Sequence, residues 1–98
     1  MSTWHVYLIR TRFGSLYAGT ATDVQRRLTE HRQGGRRGSR YLRSRGPLEL
    51  VYEAEIGGRS LAQRVEARIK RLPKRKKEAI VSTRPKPRAL LALLDLTL

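Results

Sequence analysis

The chain of 98 residues contains no cysteine. That excludes disulfides, thiolate-bound zinc and a thiol nucleophile, and it fits a reducing, cytoplasmic setting. Carboxylates are scarce, with eight Asp and Glu against 22 Lys and Arg. No apolar run approaches the roughly 20 residues that span a bilayer. The first residues, MSTWHVYLIRTR, lack the charged, apolar and small-residue zones of a secretory leader. A soluble protein of one small domain, with no membrane role, is expected. A chain this short hides only about two thirds of its unfolded surface.

Positive charge is what the sequence has in excess. A net +14 on so short a chain points to a polyanion, because neutralising phosphates releases condensed counterions. DNA is the first partner to consider and RNA the second.

WHVYLIR, residues 4–10, reads as a strand with Trp4, Val6 and Leu8 on one face and His5, Tyr7 and Ile9 on the other. TRFGS suits a tight turn and SLYAGT a returning strand, which makes residues 4–20 a hairpin. Tyr7 and Tyr17 then fall near the middles of adjacent strands. TATDVQRRLTEHRQGG follows, with Thr22 and Gln25 at capping-box spacing and Gly34–Gly35 as a stop, predicting a helix over 23–33. Its inward stripe carries Val24 and Leu28, but also Arg27 and His31.

Residues 32–46 hold six arginines and four glycines and read as a flexible basic loop with little core potential. PLELVYEAE alternates as a third, half-buried strand, with Leu48, Leu50, Tyr52 and Ala54 on one side and Glu49, Val51, Glu53 and Glu55 on the other. Gly57–Gly58 ends it. SLAQRVEARIKRL is a helix with Ser60 as cap and Leu61, Val65, Ile69 and Leu72 on one face. Pro73 opens a shorter helix through PKRKKEAIV. STRPKPR reads as a linker, and the apolar tail 89–98 either packs as a helix or meets a protein partner. The expected organisation is a domain over 1–83 and a linker with tail over 84–98. Its fold class is α+β: a three-stranded antiparallel sheet flanked by helices, in the order β-β-α-β-α-α.

Chemistry narrows to few residues. Glu78 stands among lysines and is expected to pair with them. Asp23 and Glu30 flank the first helix, where an acid near the N-terminus suits the dipole. Glu66 lies on the border of its helix's buried face, either as a salt-bridged boundary residue or as a functional acid. Tyr7, Tyr17, Arg27, His31 and Glu66 all belong to elements that must face one small sheet. Such a polar set is costly unless its members satisfy one another or a ligand. Phosphodiester hydrolysis has work for each type. A magnesium-like ion needs few protein carboxylates, a guanidinium neutralises phosphoryl charge, and a phenol or imidazole handles the proton of a water.

His5-Val6-Tyr7 followed by Tyr17-Ala18-Gly19 resembles the two-part motif of the GIY-YIG nuclease superfamily, closest to its small stand-alone bacterial members. DVQRRLTEH resembles the helix that follows that motif, and Glu66 in RVEARIKRL matches the metal-binding glutamate. The likeness covers roughly residues 4–81. His5 stands where the motif has glycine and Ala18 where it has isoleucine, and the chain has no asparagine for any role homologues give one. The resemblance implies a DNA endonuclease using Mg2+ or Mn2+, with branched or damaged DNA in view. It implies Tyr7 as or near the general base, Tyr17 orienting phosphate or water, Arg27 stabilising the transition state, His31 assisting proton transfer and Glu66 holding the metal.

Arg32, Arg36, Arg37, Arg40, Arg43 and Arg45 are candidate phosphate contacts, and Tyr41 among them could stack on an unpaired base. Lys70, Lys74 and Arg75 extend the candidate nucleic-acid surface. Two other functions compete: a nucleic-acid-binding module with little turnover, and an interaction subunit that docks through its tail.

Overall fold

Seven elements make up the computed structural model, which describes residues 2–96. They are β1 (Trp4–Arg10), β2 (Leu16–Ala21), α1 (Val24–Gln33), β3 (Glu49–Gly57), α2 (Arg59–Arg71), α3 (Lys74–Thr83) and α4 (Pro87–Leu93). The expected α+β class and antiparallel sheet are present, with a fourth helix added. The strands lie in the order β2-β1-β3, both neighbours antiparallel to β1. β1 takes the centre because Val6 through Ile9 are apolar on both faces, and all four are buried. The hairpin turn closes through Thr11 N–H donating to the Ser15 carbonyl at 3.0 Å, with Gly14 at φ +85°, a backbone shape that L side chains rarely adopt.

Both faces of the sheet are covered. On one side Val6, Leu8 and Ala18 meet Tyr52 and Ala54 of β3, Val65 and Ile69 of α2, Ile80 of α3 and Leu90 of α4. On the other, Tyr7 and Ile9 meet Val24 and Leu28 of α1 together with Leu42 and Leu48. β3 therefore departs from the expected alternation. Leu8 pairs with Tyr52 but Ile9 pairs with Leu50, so Val51 is an extra residue opposite β1. This bulge rotates the strand, sending Leu48 and Leu50 beneath α1 and leaving Val51, Tyr52 and Ala54 on the α2 side. Pairing also continues through Gly57, opposite Trp4.

Several local expectations are corrected. The cap of α1 is Asp23, whose carboxylate accepts Arg26 N–H at 3.0 Å, rather than Thr22. Gly58, not Ser60, precedes α2, and it offers no side-chain cap. α3 continues to Thr83 before Arg84 turns left-handed, which shortens the linker to residues 84–86. Glu78 pairs not with lysine but with Arg10, through two contacts of 2.7 Å. That fork holds the Glu78 carboxyl below its ordinary range. Lys74 Nζ donates to the Gly14 carbonyl at 2.8 Å, so α3 is braced against the hairpin turn.

The basic loop has a core anchor after all. Leu42 is 1% exposed, and Arg12 N–H donates to the Arg45 carbonyl at 3.0 Å. The tail takes the helical option: Leu90, Leu91, Leu94 and Leu96 are buried in the larger core, and Arg68 Nη1 donates to the Leu94 carbonyl at 2.8 Å. Residues 97 and 98 of the tail lie outside the described residues. Among the described residues, no helix is long and apolar enough to cross a membrane.

Candidate active site

Tyr7 pairs directly with Gly19 on the edge strand β2. Its ring lies across that position, and an ideal β-carbon on residue 19 would overlap the Tyr7 hydroxyl and ring. Glycine is needed here for space. Having crossed β2, the Tyr7 hydroxyl meets His31 Nε2 of α1 at 2.9 Å, in a buried contact.

Which partner donates is settled by the other ring nitrogen. Ser39 N–H donates to His31 Nδ1 at 3.0 Å, and a backbone amide can only donate. Nδ1 therefore carries no proton, and the neutral ring holds its hydrogen on Nε2, which donates to the Tyr7 oxygen. Burial first, and then the charge of Arg27, push the imidazole down to about 4, so it is neutral at pH 7. The loop reaches this close because residue 38 is glycine: a β-carbon there would stand 2.7 Å from the Glu30 carbonyl oxygen and 3.3 Å from His31 Cα.

The Tyr7 phenol accepts from His31 and keeps its own proton to offer elsewhere. Burial pushes it up to about 12, helped by Tyr17 and Glu66 and opposed by Arg27. At neutral pH it is an un-ionised phenol, and only added positive charge would make it a base.

Tyr17 shares the Tyr7 face but stands opposite Ile9, so the two phenols are diagonal rather than paired. Its ring meets His31 edge-on at 5.7 Å and stacks on Tyr41 at 5.9 Å with 18° between planes. Tyr41 in turn donates to Ser15 Oγ at 3.0 Å and carries the Arg45 guanidinium 4.0 Å above its ring. Arg27, one helical turn before His31, donates to Glu30 at 3.0 Å and to the Arg37 carbonyl.

Glu66 reaches the cluster from α2, which covers the other face of the sheet and packs against β2. Its carboxylate is 2.9 Å from Lys70 Nζ, and that ammonium lies 5.9 Å from the Tyr17 ring. Four of the five candidates thus gather on the Tyr7 face, and Glu66 joins them around the β2 edge through Lys70. Among the described residues no three His, Asp or Glu side chains form a metal cage. A lone hard carboxylate still suits Mg2+ or Mn2+, whose remaining positions water and phosphate oxygens fill.

The basic candidates divide. Arg32, Arg36, Arg37, Arg40, Arg43 and Arg75 are exposed and Arg45 is half-buried, but three of these hold backbone carbonyls. Arg32 donates to the Leu48 carbonyl at 3.1 Å, Arg43 to the Gly35 carbonyl at 3.4 Å, and Arg45 to the Tyr41 carbonyl. Glu30, Gly38 and Ser39 were not among the expected site residues. The spacing of Glu30 from Arg26 and Arg27, four and three residues, was the available signal for the first. Backbone contacts such as that of Ser39 leave no such mark.

Residues 3–79 match the GIY-YIG catalytic domain family. A UPF0213 protein of Yersinia enterocolitica is 48% identical over 94 residues, covering 96% of this chain and 93% of that protein. A UPF0213 protein of Citrobacter koseri is 49% identical over 95 residues, covering 97% and 93% respectively. The solution NMR structure of a UPF0213 protein from Bacillus halodurans superposes with a TM-score of 0.55 at 37% identity, covering 97% of this chain and 99% of that one.

Proposed function

This chain belongs to the GIY-YIG catalytic domain family, a nuclease-type family, and from that premise we propose a divalent-metal-dependent endonuclease hydrolysing phosphodiester bonds in DNA. The observation that carries the reading is the Tyr7–His31 couple beside Arg27, Tyr17 and Glu66. His31 acts by donation: Ser39 keeps the ring in the required tautomer, and its Nε2–H would stabilise the Tyr7 oxygen once added cationic charge at the site lets that phenol release its proton to solvent. Tyr7 then takes a proton from the attacking water. Arg27 faces the charge that develops on the phosphoryl oxygens. Tyr17, held between His31 and Tyr41, positions the phosphate. Glu66 would hold the divalent ion, which supplies Lewis-acid charge to the phosphate when bound. The exposed arginines of the loop and Arg75 bind the backbone in a salt-dependent way.

The test is cleavage of nicked, forked and linear DNA in Mg2+ or Mn2+. Tyr7→Phe, Arg27→Ala and Glu66→Gln should each abolish it, whereas products surviving all three changes refute the assignment. A second reading, a DNA binder with little turnover, draws on the neutralisation of Glu66 by Lys70. It predicts metal-independent binding that weakens steeply with salt, and no products.

A further inference from the structure

Beside Arg27, and away from the tyrosines, lies a cleft of about 320 Å³ walled by Trp4, Thr20, Thr22, Arg26 and Arg27. Its size is at the lower end of small-ligand sites. Two features set it apart on a protein of net charge +14. First, its charges balance. Asp23 caps the Arg26 amide, and Glu30 lies 3.7 Å from Arg26 and 3.0 Å from Arg27. Two carboxylates offset two guanidiniums along its wall, which suits the cleft to an uncharged ring with polar edges. Second, its aromatic wall is the single tryptophan, part-exposed, with the Arg59 guanidinium 5.5 Å from the indole centroid. An indole backed by a cation is a stacking platform, and the threonine hydroxyls both donate and accept at the edges.

Arg27 belongs to both places. It lines the cleft and acts on the Tyr7 phenol, so a phosphate held by Arg27 and Tyr7 would lie next to the cleft. We propose that this cleft seats a nucleobase turned out of its stack, with Trp4 against its face. The inference rests on the nuclease reading in taking a DNA strand as ligand. It implies a preference for unpaired or frayed nucleotides beside the bond that is cut.

The sole tryptophan makes the test direct. The full chain is titrated, with chelator present, with a short single-stranded oligodeoxynucleotide and with an abasic oligomer of equal length. Binding is read by anisotropy of a label on the oligomer, and the cleft by Trp4 emission. The base-bearing strand should quench Trp4 about twofold and lose about tenfold in affinity in Trp4→Ala, the effect of one lost stacking partner. The abasic strand should bind without quenching and be insensitive to the change. Trp4→Phe, which keeps an aromatic face, should restore most of the affinity, and thermal melting of each variant separates lost stacking from lost fold. Saturated binding with Trp4 emission unmoved, or equal losses for both strands in Trp4→Ala, would overturn the base site and leave the nuclease reading intact. Quenching without cleavage once metal is added would do the reverse.

Discussion

The Tyr7 ring occupies the space that a side chain on Gly19 would take, across a directly paired position of the hairpin. Gly19→Ala must therefore push the phenol away from His31. Overpacking of this kind costs roughly 1–3 kcal/mol. Chemical denaturation should show that loss, and cleavage should fall further than stability alone explains.

His31 gives stability a pH dependence. The unfolded imidazole takes a proton near 6.5, while the folded one resists to about 4. Between these values the unfolded chain binds more protons, so stability is full above pH 6.5 and falls as the solution is acidified. At about 1.4 kcal/mol per pKa unit, the loss approaches roughly 3 kcal/mol. His31→Gln, which cannot titrate, should flatten this limb in denaturation curves from pH 4 to 7.5. The Arg10–Glu78 contribution starts to fall as acidification reaches the ordinary carboxylate range, and it does so equally in both proteins.

Gly38→Ala should separate the Ser39 amide from His31 Nδ1, since the new carbon would meet the Glu30 carbonyl. Imidazole 15N shifts should then report a mixture of tautomers in place of the Nε2–H form. Cleavage should drop by roughly a hundredfold, as for a catalytic group misplaced by about 1 Å.

Lys70 neutralises the carboxylate assigned to the metal. Lys70→Met should lower the Mn2+ concentration for half-maximal cleavage by about fivefold, the scale of an exposed ion pair. DNA affinity should fall in the same variant. An unchanged metal requirement would mean that Glu66 does not hold the ion.

Leu90 of α4 is wholly buried among Val6, Leu8 and Ile80. Leu90→Ala should cost roughly 2–5 kcal/mol in urea denaturation. Removal of residues 84–98 should leave a chain without cooperative unfolding; a well-folded truncated domain would contradict the packing described.

The gathering of the candidate residues was more legible than the structure that supports it. Arg27 and His31 could be picked out because periodicity turns them inward, Glu66 because it borders its helix's buried face, and Tyr7 and Tyr17 because they fall near the middles of adjacent strands and resemble a two-part motif. Val65 and Ile69 followed from helical spacing. The bulge at Val51 was hidden because its register depends on pairing with β1. Leu42 was hidden too, a single apolar residue in a basic run with no period to mark it. Thr22 and Asp23 are both good caps, and only the docked helix selects between them. Arg10 and Glu78 are 68 positions apart, a separation no local pattern can bridge.

Because Leu90, Leu91, Leu94 and Leu96 complete the larger core, the sheet has no finished floor until that stretch has been synthesised. A chain that stops short of that stretch therefore leaves the apolar face of β1 open to solvent, however complete its polar cluster.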